Sequence, residues 1–327
     1  MTIRLPGFID IHNHGAVGVD VNSASAEDLV RVSEFLATQG VAGWLPTLVP
    51  DSDDAYKRVI GAIDEACEKQ EASTVAHARI LGVHYEGVFA NSQMCGALRP
   101  AFFKSFTGSE LDRLPTPHKG AKMMTLAPEV EGGIELIREL TKRGWVASIG
   151  HTHADVATLD AALAAGAKHL THFFNAMSGI HHRELGVAGW GLTSSEVSFD
   201  IIADGRHVAK EMVALACRTK GVDRVSLISD SVAPTGLGDG TYDLWGERIS
   251  VLNGTTQNER GSIAGSVITM LDAVKNMLRW GCFPDDVAKM TSRNPARLIG
   301  AELLDSDVVE LDDDFEVSLV RIGSISV

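Results

Sequence analysis

The chain is 327 residues long, 45% hydrophobic and 22% charged, the balance of a globular protein with a large core rather than of a disordered or fibrous one. Its formal net charge of −14 argues against a nucleic-acid or anionic-membrane partner, for which a basic face is the usual footprint. A small anionic substrate stays open, because a local Arg/His cluster can override the global field. The four cysteines, Cys67, Cys95, Cys217 and Cys282, form no C-x-x-C pair, which disfavours a thiolate metal site and fits a reducing cytoplasm. No apolar run approaches the ~20 residues of a membrane span, and Met1 runs straight into a strand-like segment without a leader pattern, so a soluble cytoplasmic protein is expected.

Along the chain, short apolar β-branched runs alternate with amphipathic stretches. The runs Gly7–His14, Val41–Val49, Arg79–Glu86, Lys122–Ala127, Val146–His151, His169–Asn175, Ser198–Asp204 and Arg224–Asp230 read as about eight strands. Between them, Ala26–Gln39, Asp53–Lys69, Gly133–Arg143, Ala154–Ala165 and Ala209–Lys220 read as helices. This alternation predicts a parallel sheet covered on both faces, and about eight units suggest closure into a (β/α)8 TIM barrel. Beyond the eighth strand, Gly236–Gly240 reads as a loop or hairpin, followed by helices around Val267–Leu278 and Pro284–Ile299. The expected organisation is a barrel over residues 1–303 and a β tail over 304–327.

The strand ends carry the chemistry. The first ends His12-Asn13-His14, the third His84-Tyr85-Glu86, the fifth at His151, the sixth carries His172, and the seventh and eighth end at Asp204 and Asp230. In a parallel barrel these ends converge on the face where active sites are built. Polar groups that recur at one end of apolar strands are costly to bury unless they share a task. His12 and His14, two apart on a strand, point the same way and form a two-nitrogen donor. Glu86, His151 and His172 add a carboxylate and two imidazoles, a donor set for Zn²⁺ or a similar divalent ion with a position left for chemistry. Asp230, beside such a centre, is placed to take a proton from water and return it to a leaving amine.

Several segments also resemble a known family. Pro6-Gly7-Phe8-Ile9-Asp10-Ile11-His12-Asn13-His14-Gly15 resembles the first-strand signature of the amidohydrolase superfamily. His84-Tyr85-Glu86-Gly87, Gly150-His151-Thr152-His153-Ala154, Thr171-His172-Phe173-Phe174-Asn175-Ala176-Met177, His182-Arg183-Glu184, Asp204-Gly205-Arg206-His207 and Ser229-Asp230 occur in the order found in N-acetylglucosamine-6-phosphate deacetylases. Gly261–Ser266 and Thr291–Ala296 extend the resemblance, which covers roughly residues 6 to 300. It implies that Glu86, His151 and His172 hold the catalytic metal, that His12 and His14 with Glu86 could hold a second ion, and that Asp230 is the general base and acid. It further implies that Asn175, the backbone of Ala176, Arg183 and His207 bind sugar and phosphate. Arg183 and His207 are expected from across a homodimer interface.

Three departures from the family pattern bear on the substrate. Val88 stands where the family has proline, Leu98 stands where a polar residue polarises the scissile carbonyl, and the accessory β-sandwich is expected to be largely missing, with the tail as its remnant. Among the other histidines, His77, His118 and His169 read as surface or packing residues, His153 and His181 as loop or supporting residues, and His84 as a near neighbour of the metal. Ser266 reads as the cap of the following helix. The five tryptophans read as core or loop anchors. The sequence thus predicts a metal-dependent deacetylase of an amino sugar 6-phosphate. The alternatives are an amidohydrolase for another N-acyl or cyclic amide without phosphate, and a catalytically silent metal-binding scaffold.

Overall fold

The computed structural model describes residues 2–326. Eight parallel strands make the circuit of the central sheet, with the short strand Arg79–Ile80 pairing beside the second: β1 (Phe8–Asn13), β2 (Val41–Leu48), β3 (Gly82–Phe89), β4 (Ala121–Leu126), β5 (Val146–Ile149), β6 (His169–Leu170), β7 (Ser198–Ile202) and β8 (Val225–Ile228). Their spatial order follows their sequence order, each strand pairing with the next. Every residue of β1, β2, β3 and β8 is buried, as a sheet covered on both faces requires.

The sheet curls until β1 meets β8, and the seam is made at the strand ends. The Asp230 amide donates to the His12 carbonyl at 3.0 Å, and the His14 amide donates to the Ser231 carbonyl at 2.8 Å. Below them, the Asp10 carboxylate on β1 accepts the Ser229 hydroxyl at 2.6 Å and the Ser229 amide at 3.2 Å. The result is a nearly closed (β/α)8 barrel whose lower interior is filled by Ile9, Ile11, Leu45, Met123, Ile202 and Ile228.

The helices start where the chain supplies caps. Ser25 and Asp28 form a capping box at the head of Ala26–Thr38, whose buried Leu29, Val32 and Leu36 fall on one face. Thr269 and Asp272 do the same for Met270–Arg279. Ser266, expected to cap that helix, instead donates its hydroxyl to the Ser229 carbonyl at 2.5 Å and so ties the segment to β8.

Several expected elements differ in extent. The expected helix Pro284–Ile299 is interrupted by a π-turn at Lys289–Arg293. Pro295 explains the break, since it lacks an amide hydrogen and its ring crowds the carbonyl four residues back, at Thr291. The loop after β8 is a three-stranded antiparallel meander, Gly240–Leu244, Glu247–Leu252 and Thr255–Asn258. Between β6 and β7 runs a helix, Gly186–Thr193, that the glycine-rich sequence hides. At the other end of the fold, Ile3–Pro6 pairs antiparallel with Val308–Leu311, which pairs with Val317–Ile322. Asp307 clasps this sheet to the barrel, accepting Arg79 at 2.5 Å and the Gly323 amide at 2.7 Å.

Candidate metal centre and its pocket

The strand ends bring the predicted donors together. The Nε2 atoms of His12 and His14 lie 3.0 Å apart, and those of His151 and His172 lie 3.1 Å apart. Glu86 sits between the pairs. Its Oε1 is 3.0 Å from both His151 and His172 and 3.5 Å from His12, while Oε2 is 3.3 Å from His14. Asp230 Oδ1 stands 3.4 Å from His12 and 3.3 Å from His14. Two triads sharing Glu86, namely His12–His14–Glu86 and Glu86–His151–His172, each have their donor atoms within 4.8 Å of one another.

This arrangement fits a divalent cation. Tetrahedral ligands ~2.0–2.1 Å from an ion stand about 3.3 Å from one another, close to the observed spacings. The outer ring nitrogens of two histidines are committed elsewhere: His14 Nδ1 lies 3.1 Å from the Thr47 carbonyl and His151 Nδ1 2.8 Å from the Met94 carbonyl. A carbonyl can only accept, so each Nδ1 carries the hydrogen and each Nε2 turns a lone pair inward. Lone pairs facing one another at such distances repel unless a cation or protons lie between them.

The electrostatics agree. Burial pushes the Glu86 carboxyl up, but His12 and then hydrogen bonds from His12, His14 and His151 hold it well below the usual range. Burial likewise raises Asp230, and His12 and His14 overcome it to leave its carboxyl low. Burial opposes charge on His14, yet hydrogen bonds to Asp230 and Glu86 raise it to about 10. His172, buried but bonded to Glu86, rises to about 9. In the absence of metal, the carboxylates draw protons into the place a divalent ion would fill.

Three of these residues sit on left-handed backbone: His151 (φ 49°), His172 (φ 34°) and Asp230 (φ 50°). Such conformations are uncommon for residues other than glycine and concentrate at functional sites. They also explain why the strands stop short of the expected limits. β5, β6 and β8 end at Ile149, Leu170 and Ile228, and the chain then turns sharply to aim each functional side chain at the axis.

A cavity of about 330 Å³ opens over the cluster. Its lining carries Asn175, Ala176 and His207 beside the donors, together with the apolar side chains of Leu98, Trp245 and Ile263. His207 lies 2.6 Å from Asp204, which also accepts its amide at 2.8 Å. His207, expected from across a homodimer interface, lines the cavity of its own chain. Arg183 is exposed on the loop between Ser178 and Gly186 and is not part of that lining.

Leu98 is buried against Val49 and Ala90 at the cavity edge. Val88 is buried, and its carbonyl accepts the Lys104 amide at 2.8 Å. His84 is withdrawn from the centre, with Nδ1 3.0 Å from the Ile11 carbonyl and Nε2 2.7 Å from Thr125 Oγ1. His169, read as a surface or packing residue, is fully buried against Asp200. Trp245, read as an anchor, reaches the cavity from the meander turn, 5.2 Å from the His14 ring. Nothing in its local sequence signals this. The lining segment Ser262–Gly265 was legible as a family-like motif without an assigned role.

The amidohydrolase family model matches residues 3–303. The N-acetylglucosamine-6-phosphate deacetylase of Bacillus subtilis (strain 168) is 35% identical over 329 residues, 97% of this chain and 83% of that protein. The N-acetylgalactosamine-6-phosphate deacetylase of Escherichia coli O157:H7 is 34% identical, over 91% of this chain and 78% of its own length. Among solved structures, a mutant N-acetyl-D-glucosamine-6-phosphate deacetylase of Mycobacterium smegmatis, in complex with N-acetyl-D-glucosamine-6-phosphate, superposes with a TM-score of 0.88 at 30% identity. That match covers 99% of this chain and 86% of the other. With identities of this size over nearly its whole length, the chain belongs to the amidohydrolase family of metal-dependent hydrolases, in its N-acetylglucosamine-6-phosphate deacetylase branch.

Proposed function

We propose that this enzyme hydrolyses the N-acetyl amide of N-acetylglucosamine 6-phosphate to glucosamine 6-phosphate and acetate. The observation that carries the reading is Asp230 Oδ1, 3.3 Å from His14 Nε2, held ionised beside a donor cluster built on Glu86. A divalent ion, for which imidazole and carboxylate donors suit Zn²⁺, supplies a Lewis acid that acidifies a water and draws charge from the amide carbonyl. Asp230 takes the proton from the attacking water and passes it to the nitrogen as the C–N bond breaks. Glu86, His151 and His172 would hold the catalytic ion, and His12 and His14 with Glu86 could hold a second. Asn175, the Ala176 backbone and His207 hold the sugar and its phosphate. The apolar lining around Leu98 excludes water from the acyl side.

The enzyme acts as a homodimer in the cytoplasm. Supporting the dimer, Arg183 shares its exposed loop with Ile180, 52% exposed, and Leu185, 39% exposed, an apolar surface next to a cation with no place in its own cavity. Arg183 then reaches the phosphate held by the partner subunit, where its planar fork binds in a bidentate manner.

The galactosamine-specific name of one relative favours a second reading, the C4 epimer as substrate. Acetate release from N-acetylglucosamine 6-phosphate, N-acetylgalactosamine 6-phosphate and the unphosphorylated sugars decides, with metal content measured on the same sample. Preference for the glucosamine phosphate, and a rise in KM without comparable loss of kcat in Arg183→Ala, is the expected result. Equal turnover with and without phosphate rejects phosphate recognition, and no turnover of any of them by metal-replete protein rejects the substrate class.

A further inference from the structure

His172 is held differently from His14 and His151, and its outer ring nitrogen, like that of His12, has no partner. His14 and His151 each fix their rings through an Nδ1 contact to a backbone carbonyl, whereas His172 Nδ1 is buried without a hydrogen-bond partner. Its backbone is left-handed and lies beyond the end of the β6 ladder, which stops where Leu170 pairs with Phe199. The His172 amide, with no strand carbonyl opposite, donates instead to Asp200 Oδ1 at 2.5 Å, and the next amide, of Phe173, donates to the Asp200 carbonyl at 2.8 Å. One residue of β7 thus receives two successive amides of the turn that carries His172.

Asp200 is itself fixed. It is fully buried, and its second oxygen lies 3.0 Å from His169 Nε2, while His169 Nδ1 lies 2.8 Å from Ser198 Oγ. A carboxylate accepting a charge-assisted bond from a backbone amide is a strong and directional restraint. Here it stands where a ring-to-carbonyl bond stands for His14 and His151. We infer that Asp200, anchored by His169, is the positioning residue that aims His172 through its backbone. The inference rests on the reading of His172 as a metal ligand.

The test uses the full chain, stripped and reloaded with Co²⁺ as probe. Metal affinity is measured by chelator competition, the visible spectrum reports site geometry, and thermal melting of the stripped protein reports the fold. Groups that orient metal ligands alter affinity by roughly 10- to 100-fold when removed. Asp200→Ala is expected to bind Co²⁺ about 10- to 100-fold more weakly with an altered spectrum, and Asp200→Asn, which keeps an acceptor for the His172 amide, to recover to within about threefold. Wild-type affinity and spectrum in Asp200→Ala overturn the inference. Should that variant not fold, His169→Gln reads the same linkage: several-fold weaker binding with unchanged melting supports it, and wild-type binding overturns it. His172→Ala run alongside separates the two levels, because undiminished metal binding there removes the ligand reading itself.

Discussion

Ser229 Oγ and Asp10 Oδ2, 2.6 Å apart across the seam between the first and last barrel strands, stand one residue from Asp230 and two from His12. The bond joins the two strands that share no regular ladder, just below the groups that the seam must bring together. Asn13 Nδ2, 3.0 Å from the same Asp10 oxygen, completes the staple.

Removing that carboxylate leaves the Ser229 hydroxyl buried without an acceptor and the Asn13 amide with only its longer contact to Ser229 Oγ, at 3.3 Å. Asp10→Ala should therefore destabilise the fold by about 2–4 kcal/mol. It should also lower turnover, because the seam sets the spacing of Asp230 and His12. Urea unfolding checks the first effect and steady-state kinetics the second. An unchanged unfolding midpoint would show that β1 and β8 are held by their other contacts.

Asp230→Asn keeps the shape of the side chain and removes its capacity to accept a proton. The expected loss in kcat is about 10²- to 10⁴-fold, with metal retained on its Glu86 and histidine ligands. Metal analysis together with kinetics separates the proton-transfer role from ligation: a variant that loses its metal in proportion to its activity would assign Asp230 to holding the ion.

Stripping the metal should abolish activity and lower the melting temperature. Metal at about 100 times its Kd should restore about 2.7 kcal/mol of stability. In the stripped protein His14, at about 10, and His172, at about 9, both carry protons near neutrality. A ligating imidazole must be neutral, so metal uptake releases protons and affinity rises with pH up to that range. Calorimetry in buffers of different ionisation enthalpy counts the protons. Uptake without release would contradict the charge balance drawn from Glu86 and Asp230.

The thiols offer a test away from the site. Burial pushes Cys217 up to about 12 and Cys67 up to about 11. The thiolate is the nucleophile, so at pH 8 these two residues should alkylate far more slowly in the folded protein than in urea. Iodoacetamide labelling followed by peptide mass spectrometry reads this directly. Rapid labelling of Cys217 in the folded state would mean that the outer helix layer opens easily.

What the sequence determined by itself was the strand–helix alternation, hence the barrel, and the identity of the groups at the strand ends. Both follow from local periodicity: a strand buried on two faces is written as an apolar run, and a polar residue that ends it stands out. His12, His14, Glu86, His151, His172 and Asp230 were legible for that reason, and the structure brings their side chains into one cluster. What tertiary structure decided depends on residues far apart in the chain. No local pattern announces that Asp10 reaches Ser229, that the Gly240–Asn258 meander delivers Trp245 to the cavity, or that Asp200 receives the His172 amide. The strands were read too long because left-handed turns at His151, His172 and Asp230 cost energy that local propensity opposes. Surrounding packing and hydrogen bonds impose those turns, and these exist only once the barrel has closed.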